Sequence, residues 1–273
     1  MRINTGHVAA VTGGTSGIGF AIADALVRRG VNVMIADIRE DAIPVAVDAL
    51  AGKPGHAAGV RVDVSVDADL DALADATIER FGRVDLVCNN AGVVCEQAPT
   101  WEQRLQTWRW LIDVKLMGVV NGVRTFAPLF IAQGSGHFLN TASAGGLMAL
   151  PTLAPYNATM HAVVGLTETL NAELRSVSPL LGATVLCPGL VDTPLGANSA
   201  RLVPQGAASA PDDGTGMPAG AISPAVVAQA AIAAVEADRV HAIVGPGADV
   251  VVRQRVMDCW PTLSRAVSRC RRR

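Results

Sequence analysis

The strongest chemical signal in the 273-residue chain is a glycine-rich turn, TGGTSGIG, from Thr12 to Gly19. It follows the apolar run His7–Thr12 and leads into a stretch of helical period. In that setting Gly13 and Gly17 permit a tight turn and a close backbone approach, and Gly19 lets the helix pack on the strand. The helix behind the turn offers unpaired N–H groups and a positive dipole end, which together suit a pyrophosphate. Thr15, Ser16 and Ile18 belong to the same turn and are expected against the same ligand. Asp37 ends the next apolar run, 18 residues after Gly19. A carboxylate there is placed to hydrogen-bond the adenosine ribose of a dinucleotide. Its charge repels a 2′-phosphate, Ser16 supplies no cation to offset that, and Arg39 alone could soften the preference. The expected cofactor is NAD; the plainer alternative is a strand-to-helix turn with no ligand.

Composition excludes several other chemistries. The chain carries 22 Lys plus Arg against 24 Asp plus Glu, a net charge of −2, so it lacks the electrostatic footprint of a nucleic-acid binder. Half the residues are hydrophobic and 17% are charged, which excludes a disordered chain. The mean hydropathy of +0.35 raises the membrane question, but the longest apolar runs are broken by Gln, Pro or Gly. The basic start gives way too soon to the glycine-rich turn for a signal peptide. The five cysteines (Cys88, Cys95, Cys187, Cys259, Cys270) are odd in number and scattered. None has zinc-ligand spacing and the five histidines are isolated, so no metal site is expected. Cys88 and Cys187 sit inside apolar runs and read as core residues. The chain is therefore read as soluble and cytoplasmic.

The elements that must carry these residues alternate. Strand-like runs lie at 7–12, 31–36, 57–62, 84–89, 137–141, 183–187 and 241–244, and helical periods near 17–29, 40–50, 66–81, 101–132, 155–177 and 224–237. Short runs buried on both faces, each followed by an amphipathic helix, predict a Rossmann-type, doubly wound, seven-stranded parallel sheet with helices on both faces. The whole of 1–273 is read as one domain. Its least regular part, 190–222, is rich in Ala, Gly, Pro and Ser and is expected to be a substrate loop. The RCRRR tail reads as a solvated terminus.

Several motifs in this order resemble the short-chain dehydrogenase/reductase family over nearly the whole chain. TGGTSGIG fits the family's TGxxxGxG turn. The resemblance implies that Asp63 and Val64 contact adenine. It implies that NNAG, Asn89 to Gly92, braces the sheet and borders the cofactor through Asn90, Ala91 and Gly92. It also implies that Pro188, Gly189, Val191 and Thr193 hold the nicotinamide carboxamide. The implied chemistry is hydride transfer between the nicotinamide and an alcohol or carbonyl carbon. A Tyr serves as general acid/base and also borders the cofactor, a Ser hydrogen-bonds the substrate oxygen, a Lys activates the Tyr and an Asn supports a relay water. Tyr156, the sole tyrosine, matches the first, and Ser143, thirteen residues earlier, matches the second.

The other two positions depart from the pattern. The Lys belongs four residues after the Tyr, about 6 Å along the helix, where this chain has Met160. The Asn position holds Lys115, in the run Asp113–Gly118. A phenol titrating near 10 needs to fall by about 3 units, or ~4 kcal/mol, to act as a base at neutral pH. A cation ~4 Å away at an effective dielectric of ~20 supplies about that much, whereas burial beside a thioether raises the pKa. Lys115 is therefore the candidate substitute, and its loss is expected to abolish turnover. Its alternatives are a lysine snorkelling to solvent or one buried and partly neutral.

Val93, Val94 and Cys95, with Gly145, Leu147, Met148 and the 190–222 loop, are expected to line an apolar pocket for a secondary alcohol or ketone. Trp101 is a candidate cap, or else a helix-packing residue. The resemblance implies a homo-oligomer, a tetramer or dimer, associating through the helices near 101–132 and 155–177. The competing reading is a catalytically silent NAD-binding protein that acts as a sensor or partner subunit.

Overall fold

The computed structural model describes residues 1–210 and 220–246. Residues 211–219 of the expected substrate loop, and the tail with Cys259 and Cys270, lie outside the described residues. The elements run β1 Val8–Thr12, α1 Gly17–Val27, β2 Asn32–Asp37, α2 Ala42–Ala49, β3 Ala57–Arg61, α3 Asp67–Phe81 and β4 Leu86–Asn89. They continue with α4 Leu105–Leu111, a π-helical turn Ile112–Met117, α5 Gly118–Gln133, β5 Gly136–Thr141, α6 Ala154–Val177, β6 Leu181–Pro188, α7 Leu195–Leu202, α8 Pro224–Glu236 and β7 His241–Val244.

The seven strands form one sheet in the order β3-β2-β1-β4-β5-β6-β7, every pair parallel. The predicted doubly wound architecture is the one observed. Its inner strands are uniformly buried because helices cover both faces. On one side α1 and α8 pack Ile22, Leu26, Ala231 and Ile232 onto Val11, Ile35 and Leu186. On the other, Leu70 and Leu73 from α3, Phe126 and Phe130 from α5 and Leu170 from α6 cover Met34, Val87 and Phe138. Phe130 and Phe138 meet in a tilted pair with ring centroids 4.8 Å apart. Cys88 and Cys187 are buried as expected.

The order reverses between β1 and β4, and the loops leaving the carboxyl ends of the strands open a crevice there. Three local features differ from the sequence reading. Helix α7 occupies part of the expected loop. The predicted helix at 101–132 begins only at Leu105 and passes through the π turn. Trp101 consequently lies before that helix and is 85% exposed, neither capping a pocket nor packing a helix. The continuous run Leu105–Gln133, which holds an 18-residue stretch of mean hydropathy 1.3, is long and apolar enough by length and composition to cross a membrane, though Gly118, Gly122 and Pro128 interrupt its apolar residues as the sequence reading expects. Here it lies on the sheet, with Lys115 and Asn121 buried along it.

Candidate active site

A continuous cavity of about 1240 Å³ runs along the carboxyl ends of the strands. At its nucleotide end the glycine turn is pressed against NNAG. Gly13 has φ +62°, and a Cβ there would meet the Ala91 Cα at 2.8 Å. A Cβ on Gly19 would strike the Gly13 carbonyl and the Asn90 amide, so this glycine serves helix packing and is absent from the cavity lining. Thr12 Oγ1 accepts the N–H groups of Asn90 (2.9 Å) and Ala91 (3.1 Å), and the Asn90 side chain donates back to the Thr12 carbonyl at 3.1 Å. Helix α1 begins at Gly17 with no side-chain cap hydrogen bond from Ser16, which leaves its first-turn N–H groups for an anion.

Asp37 stands at the end of β2, buried at the cavity wall. One carboxylate oxygen accepts both the N–H (3.2 Å) and the hydroxyl (2.5 Å) of Thr15; the other accepts the Arg39 N–H at 3.1 Å. Thr15 thus orients Asp37 and does not itself line the cavity. The Arg39 guanidinium donates to Thr15 Oγ1 at 2.7 Å and to Asn198 Oδ1 at 3.2 Å. Asn198, on α7, in turn donates to Ser16 Oγ at 3.2 Å. Ser199, next to it, accepts the Val94 N–H at 3.0 Å. Helix α7 therefore bridges the nucleotide end to the segment after NNAG. No sequence signal pointed to Asn198, because its partners lie 159 and 182 residues away.

Ser16, Gly17, Ile18, Asp63, Val64, Asn90, Ala91, Gly92, Pro188, Gly189, Val191 and Thr193 all line the cavity with Gly13 and Asp37. Thr193 closes on Gly17, whose added Cβ would meet Thr193 Cγ2 at 3.1 Å. A groove this long, with a carboxylate at one end and glycine turns too tight for side chains between, fits a dinucleotide.

At the other end, Ser143, Tyr156 and Lys115 come together. Ser143 caps the 3₁₀ turn Ala144–Gly146, its Oγ accepting the Gly145 N–H at 3.1 Å. Tyr156 sits in the first turn of α6, and next to it Asn157 donates to the Gly145 and Met148 carbonyls, fixing that segment. The π turn presents Lys115, which is 5% exposed. Its Nζ lies 5.2 Å from the Tyr156 ring centroid. A Cβ on Gly92 would lie 2.6 Å from that nitrogen, so the amine uses the space the glycine leaves. Met160 is wholly buried among Val119, Ala142, Val163 and Cys187, with Tyr156 against the cluster.

The electrostatics follow from burial. Desolvation lowers Lys115 to about 8. It also pushes Tyr156 upward, a shift that the Ser143 hydroxyl opposes. The depressed phenol expected of a fully compensating cation is therefore not seen, because burial disfavours the charged form of both groups. The pocket beyond them is apolar, with Val93, Val94, Trp110, Val114, Met148 and Leu153 on its walls. Cys95 and Leu147 are not among them: Cys95 is fully buried beside Trp110, and Leu147 packs onto the Met160 cluster. Trp110, rather than Trp101, is the tryptophan at the pocket. Among the described residues there is no cluster of potential metal ligands.

A parallel sheet with a dinucleotide groove and a Ser–Tyr pair beside it defines a nucleotide-dependent oxidoreductase. The short chain dehydrogenase family profile matches residues 7–202, and this chain belongs to the short-chain dehydrogenase/reductase family. It is 33% identical over 259 residues to a 1-deoxy-11-beta-hydroxypentalenate dehydrogenase of Streptomyces avermitilis, covering 94% of this chain and 91% of that protein. It is 34% identical to a cyclohexanol dehydrogenase of an Acinetobacter strain, over 69% of this chain and 74% of that one. A crystal structure of a family member from Burkholderia phymatum in complex with NAD superposes with a TM-score of 0.85 at 36% identity, covering 95% and 96% of the two chains. The protein is an oxidoreductase acting on alcohols or ketones.

Proposed function

We propose that the protein transfers hydride between NAD(H) and an apolar secondary alcohol or ketone, with Tyr156 as acid/base, Ser143 as the substrate-oxygen partner and Lys115 in the role vacated at position 160. The observation that carries this reading is the Lys115 amine, 5.2 Å from the Tyr156 ring within the cavity. Asp37 and the glycine turn would hold the adenosine and pyrophosphate, and the family member crystallised with NAD supports that cofactor. Bound NADH supplies the hydride.

Burial leaves the site ready to donate a proton to a carbonyl. Below pH 8 both Lys115 and Tyr156 hold their protons. The phenol donates to the carbonyl oxygen as negative charge develops on it, while the Ser143 hydroxyl steadies that oxygen. Lys115 stabilises the phenolate left behind and resupplies it. The apolar walls exclude water and suit a ring or alkyl ketone, a reading supported by the cyclohexanol dehydrogenase among its relatives.

The raised Tyr156 and the buried Met160 favour one second reading, a silent NAD-binding protein. The test follows NADH absorbance with cyclic and alkyl ketones. Turnover that Lys115→Met removes supports the enzyme. Tight NAD binding with no turnover on any ketone supports the silent protein. Full activity in Lys115→Met overturns the role given to that lysine.

A further inference from the structure

We propose that Lys115 is a covalent site for carbonyl compounds: when NAD is absent, its amine condenses with an apolar aldehyde or ketone held in the cavity to form an imine. This rests on the carbonyl pocket of the proposed function, and not on hydride transfer.

Lys115 is 5% exposed and lines the cavity. No hydrogen bond or ion pair engages it among the described residues; its contact is the face of Tyr156. An amine so placed lacks the carboxylate that normally keeps a buried lysine protonated and inert. The chain has one other lysine, Lys53. That nitrogen is tied to Asp24 at 2.5 Å and to the Ala49 carbonyl at 2.8 Å. The remaining basic side chains are arginines and histidines, which do not form stable imines. Lysine chemistry in this protein is therefore concentrated at one unpaired amine inside an apolar pocket, the setting that activates lysine nucleophiles. Its lowered proton affinity, about 8, agrees.

The step is balanced without a redox partner. The neutral amine attacks the carbonyl carbon, forming a C–N bond, and the π pair moves to oxygen. That oxygen takes a proton from the Tyr156 phenol, and the nitrogen returns one to the phenolate. The nitrogen lone pair then expels the oxygen as water while Tyr156 protonates it, and the iminium N–H so formed returns its proton to the Tyr156 phenolate, so that the lysine is left as an imine, the phenol is regenerated and one water is released. Lys115 lines the same cavity as Asp37 and the glycine turn, so NAD bound there would compete with condensation.

The experiment incubates the full chain with benzaldehyde, or with cyclohexanone, and sodium cyanoborohydride, which reduces an imine to a stable secondary amine. Peptide mass mapping then compares Lys115, Lys53 and the Met1 amine in one sample. Labelling of Lys115 is expected to outrun that of Lys53 by roughly tenfold or more. The preference should vanish in guanidinium and be suppressed by saturating NAD. Labelling of Lys115 no faster than Lys53 in the folded protein overturns the proposal, and so does a preference that persists in guanidinium. Both comparisons use the unmodified chain, so no folding defect can intervene. Ketone turnover in the same preparation is read separately. An adduct without turnover sustains this site and counts against the enzyme reading, and turnover without an adduct does the reverse.

Discussion

The Lys115 nitrogen lies 5.2 Å from the centre of the Tyr156 ring, and the two residues come from different helical elements, the π turn and the start of α6. The amine thus reaches Tyr156 from the π turn, whereas Met160 packs against it from the same helix. If position and charge are what matter, exchanging the residues should preserve function. Lys115→Met is expected to lower kcat by about 10²-fold or more. The double variant Lys115→Asn/Met160→Lys should recover most of that loss, measured as NADH-dependent ketone reduction. A double variant no better than Lys115→Met would show that the cation acts only from position 115.

The same lysine has a folding cost. Its pKa falls from 10.5 to about 8 on folding, so the unfolded chain binds more protons between those values. Stability contributed through this group therefore rises with pH across 8 to 10.5, and the full penalty, of order 3 kcal/mol, applies below 8. Lys115→Met should be more stable than the parent by about 1–3 kcal/mol at pH 7 in urea denaturation, with the difference shrinking towards pH 10.5. A variant less stable at pH 7 would mean that the amine has a strong native partner.

Gly92 positions the amine. Its backbone is outside the left-handed region, but an added Cβ would sit 2.6 Å from Lys115 Nζ and 2.9 Å from its Cδ. The neighbour is the end of a flexible side chain, so Gly92→Ala should keep its stability within about 1 kcal/mol. Displacing the amine by an ångström should still lower kcat about tenfold or more. Unchanged kcat with intact NAD affinity would show that the amine need not sit where it does.

Asn198 joins α7 to the nucleotide site through Arg39 and Ser16. Asn198→Ala removes both hydrogen bonds, about 1 kcal/mol each. The expected outcome is a severalfold rise in KM for NAD by initial-rate kinetics, with little change in kcat. A drop in kcat alone would place α7 in the service of the substrate instead.

Most of the architecture was legible because a strand covered on both faces must be apolar throughout. The runs ending at Thr12, Asp37, Asn89 and Thr141 announce both the sheet and the edge where the site lies. Motif residues such as Gly13, Asp37 and Tyr156 were legible for a related reason: each answers to a local geometry. What could not be read was set by distant contacts. Helix α7 is only eight residues long and lies in a stretch rich in Ala, Gly, Pro and Ser, and Asn198 makes sense only beside Arg39. Trp101 and Trp110 look alike in the chain, but only the latter turns inward, once the helix start is fixed at Leu105. The opposing shifts of Lys115 and Tyr156 depend on how much water their shared cavity excludes, a quantity no spacing encodes.

The π turn Ile112–Met117 makes the orientation of Lys115 a question of helical phase. Such a turn takes up one residue more than an α-helix over a similar rise, and each α-helical residue rotates its side chain by about 100°. The surplus residue lets α4 keep Trp110 and Leu111 packed inward while α5 keeps Phe126 and Phe130 on the sheet, with Lys115 turned to the cavity between them. Shortening the turn by one residue would leave every other side chain in the chain and yet force one of those three alignments to be given up. The placement of Lys115 is thus specified by a count as much as by a type of residue, and a deletion here would move it from the cavity without removing any residue that lines it.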